Sequence, residues 1–82
     1  MNNARRNKLA KITSSLADLM TQLEAIEDAE QDAFDNLPES IAATERGDQM
    51  GEFIDELSLA RDQIEEARDQ IKEVFSADSA IA

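Results

Sequence analysis

Between Asp35 and Gly51 the chain carries Asn36, Ser40, Thr44, Arg46 and Gln49, all side chains able to make directed hydrogen bonds, together with both of its glycines, Gly47 and Gly51. Arg46 is the one cation of this stretch, so it is the natural anchor for an anion or carboxylate in a loop pocket at an oligomer interface. The plainer alternative is that it neutralises Asp35, Glu39 or Asp48. Gly47 and Gly51 lie four apart and bare one strip of helix surface, which permits close approach by a neighbouring backbone or a bound molecule. The residues proposed to bind a ligand or partner are therefore Asn36, Ser40, Thr44, Arg46, Gly47, Gln49 and Gly51. No catalytic residue is assigned. The chain has no His and no Cys, which removes the usual triad base, the usual zinc ligands and any thiol nucleophile.

Acidic spacings offer a second chemistry. Glu24-x-x-Glu27 followed by Glu52-x-x-Asp55 resembles the paired-carboxylate signature of all-α nucleoside triphosphate pyrophosphohydrolases, whose acids hold magnesium between helices. The apolar register speaks against it, because Glu24 and Glu27 flank their seam while Glu52 and Asp55 point away from theirs. Asp28, Glu30, Asp32, Asn36 and Glu39 have calcium-loop spacing in part, yet Ala33 stands where such a loop needs Gly. Neither a metal nor another cofactor is expected. Glycine-rich phosphate loops are absent, and three Phe without Tyr or Trp give little support for base stacking.

Two helices must position these residues. Leu9, Ile12, Leu16, Leu19, Leu23 and Ile26 alternate three and four apart, the pattern of one coiled-coil-like seam. The same register reaches Glu30, Ala33 and Leu37, so either the seam frays before Glu30 or Glu30 faces a partner or ligand. A second seam runs through Met50, Phe53, Leu57, Ala60, Ile64, Ala67, Ile71 and Val74. Pro38 disfavours helical geometry at Leu37 and should end the first helix near Asp35 or Asn36. PESIAAT can form a short helical turn with Ile41 tucked inward, and Thr44, with Asp48 as runner-up, can cap the second helix. The expected fold is all-α: an antiparallel two-helix hairpin, coiled-coil-like, with a structured turn. Its single domain covers 1–82, with a helix over 4–35, a turn over 36–44, a helix over 45–76 and a frayed tail over 77–82. Antiparallel folding sets Arg5, Arg6, Lys8 and Lys11 beside Glu65, Glu66, Asp69 and Glu73, which selects that arrangement although exposed pairs contribute only about 0–1 kcal/mol each.

An 82-residue chain without disulfide or metal has little core. Apolar residues off the seams, Met20, Phe34, Ile54, Leu59 and Phe75, require another surface to cover. Assembly into a homo-oligomeric helical bundle, minimally a dimeric four-helix bundle, follows. A formal charge of −11 argues against direct binding of duplex nucleic acid, and no apolar run approaches a membrane span.

The segment AEQDAFDNLPESIAATERGDQM, most specifically its DNLPES and ERG pieces, resembles a group of small helical proteins of tailed phages and prophages that carry no assigned function. The resemblance spans most of the chain. It implies a phage accessory protein acting in the host cytoplasm, and it transfers no catalytic residue. By analogy with compact phage proteins that disable host defence, the leading expectation is a non-enzymatic binding protein in a counter-defence role that holds a small anionic, nucleotide-like ligand or a host protein at its turn. The alternative is an acidic mimic of nucleic acid, presenting Glu24, Glu27, Asp28, Asp32, Glu52, Asp55 and Glu56 to a basic host protein.

Overall fold

The computed structural model describes residues 1–81, the side chains of 80 and 81 excepted. It contains three helices: α1 over Asn3–Asp35, α2 over Glu39–Ala42 and α3 over Glu45–Ile81. α1 and α3 fold back on each other as an antiparallel hairpin, with α2 in the bend. The molecule is a rod of 62 × 15 × 13 Å with a radius of gyration of 18.5 Å. A compact chain of this length would have a radius near 12 Å, so the rod has almost no interior.

Local signals explain each boundary. The Asn2 side chain accepts a hydrogen bond from the Arg5 backbone N–H at 2.9 Å and opens α1. At the other end Asn36 leaves helical geometry, and its backbone N–H at 3.1 Å and its side-chain amide at 2.8 Å both donate to the Asp32 carbonyl. Pro38 then supplies the carbonyl that receives the Ile41 and Ala42 N–H groups and starts α2. Glu45 and Asp48 fall in the first turn of α3, where the helix dipole favours negative charge.

The two helices meet along a line that differs from the seam the apolar spacing selects. On α1 the half-buried residues include Leu9, Thr13, Leu16, Met20, Leu23, Glu30 and Phe34, with Glu27 buried among them; on α3 they include Met50, Ile54, Leu57, Arg61, Ile64, Arg68, Ile71 and Phe75. Each helix keeps one row of its expected seam in the contact and rolls the other row out, a rotation on the order of 50°. Ile12, Leu19 and Ile26 are consequently 47%, 46% and 50% exposed, and Phe53 and Val74 are 52% and 44% exposed. Met20, Phe34, Ile54 and Phe75, expected off the seam, take the vacated places; Leu59 remains outside. The physical reason is that a lone hairpin gives each helix one neighbour. A helix with an apolar arc wider than one contact line cannot bury all of it. Thr13 tolerates the crease because its hydroxyl donates to the Leu9 carbonyl at 2.9 Å.

Three further expectations are corrected. The tail expected to fray over 77–82 is helical over 77–81: α3 continues to Ile81, and Asp78 accepts hydrogen bonds from the Met1 ammonium at 2.7 Å and from Arg6 Nε at 3.2 Å. Ala82 lies outside the described residues. Asp78, rather than Glu65, Glu66, Asp69 or Glu73, is thus the acid that meets the basic end of α1; those four are exposed and form no ion pair among the described residues. Ile41, finally, is exposed and Leu37 and Ala42 are half-buried in its stead.

Candidate functional site

At the turn end of the rod the rolled-out row of each helix opens a groove of about 660 Å³. Its floor is apolar, made by Ile26 from α1 and by Met50, Phe53 and Leu57 from α3. Four polar side chains rim it: Glu30 from α1, and Arg46, Gln49 and Glu56 from α3. The heptad spacing creates this grouping. Arg46 and Phe53 are seven apart, so the cation continues the exposed apolar row of α3 for one more step toward the turn. Glu30 continues the row of Leu16 and Leu23 on α1 in the same way, and it is half-buried at the rim.

Arg46 is exposed and makes no ion pair with a carboxylate among the described residues. The simple neutralisation by Asp35, Glu39 or Asp48 is therefore not realised in this structure. Rim charge is nonetheless mixed, one guanidinium against two carboxylates. An anion entering the groove of a single hairpin would meet more repulsion than attraction.

Of the seven residues singled out by sequence, only Arg46 and Gln49 line the groove. Asn36 is engaged in ending α1. Ser40 is exposed on α2, outside the groove lining. Thr44 stands immediately before α3 and its hydroxyl donates to the Ile41 carbonyl, tying the bend together. Gly47 is buried, and a Cβ built on it would fall 2.2 Å from the Ala42 carbonyl oxygen. The close approach its missing side chain permits is thus taken by the chain's own bend. Gly51 has open space where a side chain would stand, so the glycine strip is half occupied and half bare.

Glu56 and the apolar floor were missed as site residues. The signal was present in the offset between Ile26 and Phe53 and the contact line, but spacing alone treats both rows of a seam as equally buried. Glu27 was misplaced more seriously. Among the described residues it is the one buried charged side chain, with Oε2 2.9 Å from Arg61 Nη1. Its other oxygen, and Arg68 Nε, are buried without a hydrogen-bond partner. Glu27 is therefore withdrawn both from a shared metal position with Glu24, Glu52 and Asp55 and from an acidic surface presented to a host protein. Among the described residues no three acidic side chains are grouped to hold a metal ion. No helix is long and apolar enough to cross a membrane.

At the far end of the rod the Met1 ammonium, and after it Arg6, hold the Asp78 carboxyl below its ordinary value of 3.8. This clasp sets an acid at the start of α1 and cations at the end of α3, offsetting the unfavourable charge that each helix terminus carries by itself. No family model, no curated protein and no solved structure matches this chain.

Proposed function

We propose that this chain is a non-enzymatic phage accessory protein of the host cytoplasm, working as a self-associated helical bundle whose turn-end groove holds an anionic group carried on an apolar body. The group belongs either to a small nucleotide-like ligand or to a host protein, in a counter-defence role. The DNLPES and ERG resemblance supports the phage assignment. The observation that carries the binding assignment is Arg46: an exposed guanidinium without a carboxylate partner among the described residues, beside a floor of Ile26, Met50, Phe53 and Leu57. Apolar floor and directed charge are the usual combination in a ligand site.

Calorimetry and thermal-shift titration with a panel of mono- and cyclic nucleotides test the small-ligand source, and capture from host lysate tests the protein source. Arg46→Ala should abolish the response in whichever arm gives one. Unchanged behaviour of Arg46→Ala toward every ligand and partner would overturn the assignment.

A second reading is favoured by a different observation. Glu24, Asp28, Asp32, Glu52, Asp55 and Glu56 are exposed and form no ion pair among the described residues, so they remain free to imitate nucleic-acid phosphates. That reading requires a host partner whose capture fails at high salt and ignores Arg46→Ala. The Arg46 reading predicts instead that binding is lost in Arg46→Ala.

A further inference from the structure

The exposed rows form one face. Ile12, Leu19 and Ile26 on α1 and Phe53, Ala67 and Val74 on α3 are exposed and, with half-buried Ala60, share a heptad position on each helix, and Ile26 and Phe53 border a common groove. Between them run Leu9, Leu16, Leu23, Met50, Leu57, Ile64 and Ile71, half-buried in the crease. The rod accordingly has a broad apolar face on one side, while its other side is closed by Glu27 and Arg61 and by Arg6 and Asp78.

Surface area says how large the cover must be. The chain exposes 6092 Å², whereas a compact monomer of 9.1 kDa would expose about 4,900 Å². The excess is roughly 1,200 Å² per chain, so two copies would bury roughly 2,400 Å² between them, the size of an obligate homodimer interface. No apolar side chain among the described residues is buried in the single hairpin. A second copy supplies a cover of matching length and chemistry.

Charge and spacing fix how that copy lies. α1 is basic at its amino end, with Arg5, Lys8 and Lys11 free after Arg6 is committed to Asp78, and acidic at its carboxyl end, with Asp28, Glu30, Asp32 and Asp35. Leu19 sits midway: Ile12 and Ile26 are seven residues to either side of it, and Lys8 and Glu30 are eleven to either side. A segment symmetric in apolar spacing and antisymmetric in charge is complementary to its own reversed copy. Laying two rods with their bends at the same end would instead bring Glu30 and Glu56 of both copies together.

Resting on the reading of a self-associated bundle, we infer that two copies pack through this apolar face about a two-fold axis near Leu19, α1 against α1, with their bends at opposite ends. Each turn-end groove then receives the amino end of the other copy. The partner's Arg5 and Lys8 join Arg46 at a rim where a single chain offers one cation against Glu30 and Glu56. The anion site is thus completed only by the second copy, and two equivalent sites lie about a rod's length apart.

A chain without Cys allows single-site labelling. With a spin label on Ser40→Cys, in the bend, the dimer should give a distance on the order of 50 Å, as rod length dictates, and a label on Gln22→Cys near the axis should give one below about 25 Å. A bend-to-bend distance below about 25 Å would overturn the antiparallel arrangement while leaving self-association standing. A monomer by light scattering at all concentrations would overturn both. Lys8→Glu should weaken the dimer several-fold, and adding Glu30→Lys to the same chain should restore it. Absence of restoration, with both variants still helical, would refute the pairing. Leu59→Asp, on the far side of α3, should leave the dimer unchanged.

Discussion

The two long sides of this rod are built on opposite plans. One is held by a few specific polar contacts: Glu27 with Arg61, Arg6 and the Met1 ammonium with Asp78, and the Ala42 backbone against Gly47. The other is a long apolar surface without a cover, from Ile12 to Ile26 and from Phe53 to Val74. Polar contacts of that kind fix register and direction but contribute little net free energy, since desolvation offsets most of the attraction. Apolar area contributes most of the free energy yet says nothing of which partner covers it. One side of the hairpin therefore states how the chain folds, and the other presents apolar surface that the hairpin itself leaves exposed.

The strongest way to break this contrast is to remove the apolar side. Leu19→Asp combined with Ile26→Asp should cost the proposed dimer about 3 kcal/mol or more, because each aliphatic side chain that association buries is worth about 1.5–3 kcal/mol. The melting temperature of the unaltered chain should rise with protein concentration, and this dependence should vanish in the double variant. Glu65→Ala, exposed elsewhere on α3, should shift stability by no more than about 0.5 kcal/mol.

The two glycines of the bend differ in what surrounds them. Gly47→Ala drives a Cβ into the Ala42 carbonyl and should destabilise by about 1–3 kcal/mol, seen in the urea midpoint. Gly51→Ala meets open space and should stabilise by about 0.5–1 kcal/mol through helix propensity. Equal effects at the two positions would mean that α2 does not press on α3.

Of comparable or smaller size is the buried pair. Arg61→Ala strands Glu27 in the crease and should cost about 1–3 kcal/mol, whereas the double change Glu27→Leu with Arg61→Leu should be close to neutral in denaturant melts. Register is the better readout of that double variant, because an all-apolar crease no longer selects one.

The smallest effect belongs to the terminal clasp. Asp78 has its carboxyl depressed by the Met1 ammonium and Arg6, so its contribution is fully present above 3.8 and is lost as pH falls through the depressed value. Carboxyl chemical shifts should place its titration below 3.8, and Arg6→Ala should move it upward. Amide exchange in the last turns of α3 should quicken over that same acid range.

Legibility in the sequence divides along the same lines. Pro38, Asn2 and the seven-residue repeats mark two long helices and a bend, because capping and backbone restriction act within a few residues. Arg46 stood out as the lone cation of an acidic stretch, and it does border the groove with Gln49. Asn36, Thr44 and Gly47 were equally conspicuous and turned out to serve the bend, since the same hydrogen-bonding capacity that suits a ligand also suits a helix end. Glu27 looked like one acid among many until Arg61 stood opposite.

By itself, then, the order of residues determined helix, bend, helix, and an apolar arc on each rod too wide for one neighbour. Only the tertiary structure decided which half of each arc closes the crease and which half faces outward. The reason is rotational: period fixes the spacing of a seam, but the roll of a helix about its axis is set by what presses on it, here the bend packed on Gly47 and the charge pair at Glu27 and Arg61.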